Sequence, residues 1–339
     1  MLTHHLKHQL QFFKQLHLYL NSGFNINESL SLILHNDPPQ SFISFLIYAK
    51  NAIAQGLKIS SVFKSYTHLF SNFTLTMINT GETSGKLIQA LEHIIYQLDF
   101  YYQIRQRLQQ TLTYPTVILI VTSIIFIVMC CFIVPQFELL FRGSNIELPV
   151  ITHIIFKLSN LLIHHTLLIV IFFTAILTYF IRRPRKLIQL VIYLPLFKKL
   201  NVNYKMMLIV LELHLLLAAG ITLLSALTYL SQNNQDKNFT ELLQQVLEQI
   251  KQGKTIVEGF ALFTALPNSC QQLILMGEKT GQLEQMLAQC FKIIQHGLEA
   301  KLSMCTAMAE PLIMFIISII MGSLILGLYL PLFNLGKLF

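Results

Sequence analysis

The chain has 339 residues, of which 54% are hydrophobic and only 12% are charged, and its mean hydropathy is +0.58. Soluble domains usually carry about 25% charged residues, so this composition excludes an ordinary soluble globular protein. The net charge of +8 is spread thinly. Residues 1–113 carry eight Lys and Arg against five acids, which is too dilute for a nucleic-acid-binding surface.

The first 113 residues predict a helical bundle. Asn25 and Glu28 have the spacing of a helix capping box, and Thr255 and Glu258 repeat it later in the chain. No alternating pattern typical of strands occurs. The first twenty residues are too polar for a signal peptide, so we expect this bundle to stay on the side of synthesis. The glycines predicted to take left-handed turns between its helices are Gly23, Gly56, Gly81 and Gly85.

Three long apolar runs predict membrane spans. About 20 helical residues cross a hydrocarbon core of about 30 Å, and each run is long enough. An all-α membrane protein with two helical bundles and three transmembrane helices is therefore predicted. The predicted boundaries are 1–113 for the first bundle, 114–136 for the first span, 137–160 for a short external segment, 161–181 for the second span, 182–309 for the second bundle, 310–333 for the third span and 334–339 for an external tail.

Basic residues near the spans predict the orientation. Arg105 and Arg107 precede the first span, and a group of four basic residues lies at 182–186, after the second span. The segment that joins these two spans holds only Arg142 and Lys157. Both bundles are therefore expected in the cytoplasm and the joining segment outside.

The chain contains an internal repeat. Residues 81–87 read G-E-T-S-G-K-L, and residues 277–283 read G-E-K-T-G-Q-L, 196 positions later. Prolines 115 and 135 recur at the same offset as prolines 311 and 331. Both bundles then have the same orientation, and the second span is the connector that returns the chain to the cytoplasm.

The repeated turn and the span borders supply the candidate partner-binding or structural positions. Glu82 and Glu278 have a structural interpretation, as acceptors for backbone donors at a helix N-terminus, and a functional one, as contacts with a partner subunit. Glu310 borders a span, where headgroup solvation and an interface role are equally compatible. Small residues at 318, 322, 323 and 327 suit either close helix packing or a lipid-facing surface. The full set is Gly81, Glu82, Gly85, Gly277, Glu278, Gly281, Pro115, Pro135, Glu310, Pro311 and Pro331.

The motifs do not support a nucleotide-binding, metal-binding or hydrolytic site. The segment from Gly81 to Lys86 differs from a phosphate-binding P-loop, which needs four residues between its glycines and Ser or Thr after the lysine. His4, His5 and His8 could place two imidazoles on one helix turn, but a metal site needs three or four converging ligands. No nucleophile-and-base pattern of a hydrolase is present. The sequence therefore predicts no catalytic, cofactor or metal site, and no enzyme.

Four groups of residues together resemble the platform-protein family of type II secretion systems and type IV pili. They are Phe13-x-Gln15-Leu16, the doubled G-E-x-x-G-x-L turn, Tyr114-Pro115 before a span ending Val134-Pro135, and Glu310-Pro311 before a span ending Leu330-Pro331. The resemblance covers almost the whole chain, although many relatives have a longer N-terminal arm.

The resemblance implies a non-enzymatic inner-membrane protein that couples a hexameric cytoplasmic assembly ATPase to polymerisation of pilins or pseudopilins. It also implies two cytoplasmic bundles of about six helices each and contacts with other inner-membrane assembly proteins. We further expect a homo-oligomer, lipid around the spans and no nucleic-acid partner. The alternative is a small three-span transporter or channel. Against it, the repeats are not inverted and the span interiors carry no ionisable residue.

Overall fold

The computed structural model describes residues 2–142, 150–164, 195–234 and 236–335. All regular structure in this part of the chain is helical, as predicted. The chain divides into two compact units, Met1–Arg107 with Lys199–Glu299, and Leu108–Lys198 with Ala300–Phe339. The predicted second span at 161–181 lies outside the described residues except for its first four positions.

Six helices form repeat one. Asn25 and Glu28 make the predicted capping box at the start of the second helix, and Ser71 caps the fifth through its side chain. The helices are α1 (Leu2–Asn21), α2 (Ile26–His35), α3 (Gln40–Ala54), α4 (Ile59–Lys64), α5 (Asn72–Ser84) and α6 (Leu87–Val128).

Six helices also form repeat two, which begins after the segment at 165–194. Thr255 and Glu258 make the second capping box, as predicted. The helices are α9 (Pro195–Ala218), α10 (Leu223–Asn233), α11 (Lys237–Lys251), α12 (Ile256–Phe260), α13 (Asn268–Thr280) and α14 (Leu283–Leu335).

The core of the first unit differs between the repeats. In repeat one it is built on phenylalanine rings, and the ring centroids of Phe63 and Phe70 lie 4.8 Å apart. Such edge-on and offset ring contacts add to the free energy gained from burial. In repeat two the core is largely aliphatic and sulfur-containing. The buried phenylalanines of repeat one are Phe12, Phe13, Phe42, Phe45, Phe63, Phe70, Phe73 and Phe100.

Three helices among the described residues are long and apolar enough to cross a membrane: Ile120–Leu140, Leu200–Ala218 and Leu283–Gly327. Only 11% and 6% of the first and third windows are buried by protein, against 50% of the second. The second is the core of α9, which belongs to the first unit and is the repeat-two equivalent of α1. Packing inside the bundle therefore accounts for its apolar composition, and we treat it as a bundle helix.

The second unit contains the C-terminal part of α6, a π-helical turn (Met129–Ile133), α7 (Val134–Arg142), α8 (Val150–His164) and the C-terminal part of α14. Two hydroxyls join these helices. Ser159 Oγ donates to the carbonyl of Cys130 at 2.5 Å, and Thr152 Oγ1 donates to that of Gly327 at 2.6 Å. The buried residues around them are Cys130, Val134, Ile155, Phe156 and Leu324.

Candidate functional site

The repeated turn joins two helices in each repeat with the same backbone. Gly85 ends α5 and Gly281 ends α13, and both have φ +70° and ψ 12° in the left-handed region. A side chain is strained in this conformation, which glycine adopts freely. The prediction of a left-handed turn at Gly85 is confirmed, and it extends to Gly281.

The first glycine of the motif has a different role from the one predicted. Gly81 lies inside α5, not between helices, and it is buried. A Cβ on Gly81 would lie 2.6 Å from the Cβ of Ala90, and one on Gly277 would lie 2.9 Å from the Cα of Leu283. Neither distance leaves room for a methyl group. Both glycines therefore permit close approach between the helices that flank the turn.

The acid of the motif caps another helix in repeat one. Glu82 Oε1 accepts from the backbone N–H of Ile59 at 2.7 Å. Its Oε2 accepts from the N–H of Ser60 at 2.9 Å and from the Ser60 hydroxyl at 2.5 Å. The carboxylate thus satisfies the free donors at the start of α4 and complements the helix dipole there.

Hydrogen bonding lowers the pKa of Glu82. Partial burial by itself would raise that pKa, but the Ser60 hydroxyl and the N–H groups of Ser60 and Ile59 outweigh it, and Lys58 adds a favourable charge. The pKa of a carboxyl falls when its charged form accepts several hydrogen bonds. Glu82 is therefore ionised in the folded protein at neutral pH.

The acid of the second motif makes a weaker version of this cap. Glu278 Oε1 accepts from the N–H of Ile256, the first residue of α12, at 2.8 Å. Its Oε2 is buried without a hydrogen-bond partner among the described residues. The position of Ser60 is taken in repeat two by Val257, which has no hydroxyl to donate.

The prolines and Glu310 lie along the long helices, away from the turn. Neither Pro115 nor Pro311 starts a new helix, since α6 and α14 run through them. Pro135 is the second residue of α7 and follows the π-helical turn directly. Pro331 lies within α14, which continues for four more residues, and Glu310 is exposed on the same helix.

The motif geometry is that of a structural joint. Its two acids accept hydrogen bonds from helix N-termini, and its first glycines allow the flanking helices to approach closely. Within the described ranges, no group of three or more His, Cys, Asp and Glu side chains could hold a metal ion.

Sequence reasoning missed a polar cluster between the repeats. Gln97 and Tyr101 on α6 both donate to Glu212 on α9. One feature of the sequence indicated this cluster. Glu212 lies 197 positions after Gln15 and is therefore the repeat-two equivalent of the polar residue in the Phe-x-Gln-Leu pattern. An acid at a position that is otherwise apolar on both sides indicates a buried partner.

Together, the fold and the repeated joint define a class of protein. It is an α-helical membrane protein built from two copies of a six-helix unit, each copy ending in a helix long enough to cross a bilayer.

The chain belongs to the family of the type II secretion system (T2SS) protein F, whose family model matches residues 12–135 and 209–331. The two matches coincide with the two repeats, so the family unit occurs twice. Type II secretion, type IV pilus assembly and protein transport are the processes of this family.

Curated relatives extend the match over nearly the full chain. A protein transport protein HofC homolog from Escherichia coli is 28% identical, covering 95% of this chain and 82% of the relative. Its Haemophilus influenzae counterpart is 26% identical, over 95% and 84%. The type IV pilus assembly protein PilC of Pseudomonas aeruginosa is 23% identical, over 96% and 89%.

Proposed function

We propose that this chain is a non-enzymatic inner-membrane platform protein that couples a hexameric cytoplasmic assembly ATPase to the polymerisation of pilins or pseudopilins. The observation that carries the proposal is the doubled family unit, in which each copy ends in a helix that continues into an apolar run. Relatives named for pilus assembly and for type II secretion support the same role.

In the proposed topology both bundles are cytoplasmic. The basic residues Arg105 and Arg107 before the first span and the basic group at 182–186 support this orientation. The bulk of the chain then lies where an ATPase can reach it, and the segment between α7 and α8 lies outside.

The second span is proposed to begin near Val150, earlier than the predicted residue 161. The hydrogen bonds of Thr152 and Ser159 support this placement, because Cys130 lies midway along the apolar window Ile120–Leu140. A helix that packs at the middle of a span lies at the depth of the hydrocarbon core. Residues 150–160, which include Lys157, then belong to the membrane and not to the segment predicted to be external.

The uncovered faces of the spans are the proposed contact surfaces for the apolar helices of pilin-like subunits and of other inner-membrane assembly proteins, or for a second copy of the chain. Large side chains stand exposed there, with Phe132 at 67% and Phe315 at 65% of their full accessibility. Lipid covers whatever part of these faces has no protein partner. On the part of α14 that belongs to the second unit, the exposed large apolar residues are Met304, Met308, Leu312, Met314, Phe315, Ile316, Ile319, Ile325, Leu326 and Tyr329.

Two unbroken helices supply the proposed mechanical link. α6 covers 42 residues and α14 covers 53, and each passes from the first unit into the second without a loop. A helix transmits displacement along its axis with little loss, whereas a flexible loop does not. We expect work done on a bundle by an ATPase to be delivered to the membrane along these two helices.

The test is site-specific photo-crosslinking in the native membrane, with the crosslinker at Phe315 in the span or at Glu241 on the exposed side of α11. The expected products are a pilin-like protein from position 315 and an assembly ATPase from a scan of exposed bundle positions that includes 241. Leu324, which is 2% exposed, is the matched control and should capture neither.

Deletion of the gene should abolish pili, secretion or DNA uptake, and the full chain supplied in trans should restore the lost process. Recovery of no ATPase and no pilin-like protein, at a good yield of the bait, would contradict the proposal. Flux through proteoliposomes that contain this chain alone would then favour a transporter.

A further inference from the structure

A polar cluster joins the two repeats inside the first unit. Gln97 Nε2 donates to Glu212 Oε1 at 3.0 Å, and the hydroxyl of Tyr101 donates to the same oxygen at 2.9 Å. Gln97 and Tyr101 lie one turn apart on α6, and Glu212 lies on α9. We call these three residues the inter-repeat cluster.

The inter-repeat cluster has a buried acceptor without a donor: Gln97 is buried, and Tyr101 and Glu212 are half-buried. Gln97 is only 1% exposed, and its Oε1 has no hydrogen-bond partner among the described residues. Both donors of the cluster reach Oε1 of Glu212, so Oε2 receives neither of them. The cluster therefore lacks a donor for Gln97 Oε1, and the second carboxyl oxygen of Glu212 is available to carry a proton.

No positive charge in the described part of the chain forms an ion pair with Glu212. The titratable groups that face it are phenols: Tyr101 from α6, Tyr204 from α9 and Tyr229 from α10. Arg105 acts on Tyr204, and none of the ion pairs among the described residues includes Glu212. A carboxylate that is withdrawn from water and has no cation beside it is unfavourable, so the neutral form is preferred.

The pKa values agree with this geometry. Burial raises the pKa of Glu212, although the hydrogen bonds from Tyr101 and Gln97 oppose the rise. Burial likewise raises the pKa of Tyr101, and the nearby Glu212 adds to it. Neither group is therefore favoured in its anionic form.

We propose that Glu212 is a proton-binding site between the repeats, and that its carboxyl group stays protonated in the folded protein at neutral pH. The proton supplies the hydroxyl donor that the cluster lacks, and Gln97 Oε1 is the acceptor within the same cluster. Ionisation of Glu212 leaves a negative charge buried between α6 and α9 and weakens their contact.

The direction of the pH effect follows from the raised pKa. The stabilising contribution of the protonated form is fully present below the unfolded-state value of 4.5. It is lost as the pH rises through the folded-state pKa. The contact between the repeats is thus strongest in mild acid and weakens with alkali.

Infrared spectroscopy of the full-length protein in nanodiscs tests the protonation directly. The wild-type spectrum at neutral pH should contain the C=O stretching band of a protonated carboxyl group, and Glu212→Gln should lack it. Glu241→Gln, at an exposed site in the same repeat, should keep the band. A wild-type spectrum without this band, or a band that survives in Glu212→Gln, overturns the proposal.

Thermal unfolding supplies a second readout. Glu212→Gln keeps the side-chain size and installs the residue found at position 15 of repeat one. Between about pH 5 and about pH 8, the Tm of the wild type should fall relative to that of Glu212→Gln. Parallel Tm curves would refute the proposal.

Tyr101→Phe keeps the test decisive even if Glu212→Gln fails to fold. It removes a hydrogen bond that favours the carboxylate, so the infrared band should persist to a higher pH than in the wild type. Loss of the band at a lower pH would overturn the proposal.

Discussion

The two repeats share one backbone joint but complete it with different side chains. In repeat one, Glu82 accepts three hydrogen bonds from Ile59 and Ser60. In repeat two, Glu278 accepts one, from Ile256, and keeps a buried oxygen without a partner among the described residues. The glycine positions are the same in both. The comparison separates what the joint requires, which is two glycines and one backbone cap, from what each copy adds.

Alanine at the buried glycines should have the largest effect. Gly81→Ala and Gly277→Ala each place a methyl group where there is no room, so each should destabilise the protein by about 1–3 kcal/mol. The Tm of the purified full-length chain in detergent measures the effect. Alanine at Gly322, where an added Cβ meets nothing within 4 Å, is the matched control and should change the Tm little.

The two repeats should differ in whether a second substitution restores the stability that alanine at the buried glycine removes. At Gly81 the nearest atom to an added Cβ is the Cβ of Ala90, which Ala90→Gly removes. The double variant Gly81→Ala with Ala90→Gly should therefore lose less free energy of unfolding than the sum of the losses in the two single variants. At Gly277 the nearest atoms include the backbone of Leu283, so Met286→Ala should rescue little. Equal rescue in both repeats would contradict the packing role assigned to the glycines.

Removal of the acids should sharpen the contrast. Glu82→Ala removes three hydrogen bonds to a charged acceptor and Glu278→Ala removes one, so the first should lower the free energy of unfolding by about 1–2 kcal/mol more.

The pKa of Glu82 is lowered in the folded protein, so its contribution to stability is present above the unfolded-state value of 4.5 and is lost as the pH falls through the folded-state pKa. The Tm difference between wild type and Glu82→Gln should therefore shrink in acid. A difference that stays constant down to about pH 3 would show that the caps act through shape alone.

The left-handed glycines should behave alike. Gly85→Ala and Gly281→Ala put a side chain at the same φ of +70°, so each should cost about 1 kcal/mol. The two Tm shifts should agree within error, because neither site has an atom within 4 Å of the added Cβ. A large difference between them would mean that the two turns are not equivalent.

Giving repeat two the missing hydroxyl should have the smallest effect. Val257→Ser places in repeat two the residue that donates to the acid in repeat one. Loss of valine and gain of a hydrogen bond roughly offset each other, so the single change should alter the stability by about 0.5 kcal/mol or less. The informative quantity is the coupling energy between positions 257 and 278. Glu278→Ala should lower the stability more in the Val257→Ser background than in the wild type. Additive effects would show that the new hydroxyl does not reach Glu278.

Much of the fold was predictable because its signals are local. Capping boxes, helix periodicity and the left-handed Gly85 each depend on residues within a few positions, and the repeat confirmed each signal a second time. The prediction for Gly81 was wrong for the same reason. The local sequence does not distinguish a glycine that packs one helix against another from a glycine in a turn.

What could not be predicted depends on partners far away in sequence. Glu82 meets Ser60 across 22 positions, and Glu212 meets Tyr101 across 111. Nothing in the local pattern around Ser159 indicates that its hydroxyl will meet the carbonyl of Cys130. The pairing of helices decides such contacts, and the periodicity of a helix shows only that one face is buried.

The π-helical turn at Met129–Ile133 has a consequence for the angular phase of the first span. A π turn holds about one residue more than an α turn, whereas α14 is α-helical through the equivalent positions. Residues that match in sequence beyond this turn, such as Phe137 and Phe333, are therefore rotated by about 100° relative to the start of their spans. Deleting one residue within the π turn would restore a regular helix and leave the downstream faces in place. The same deletion in α14 would rotate everything that follows, so the two spans tolerate length changes differently despite their common origin.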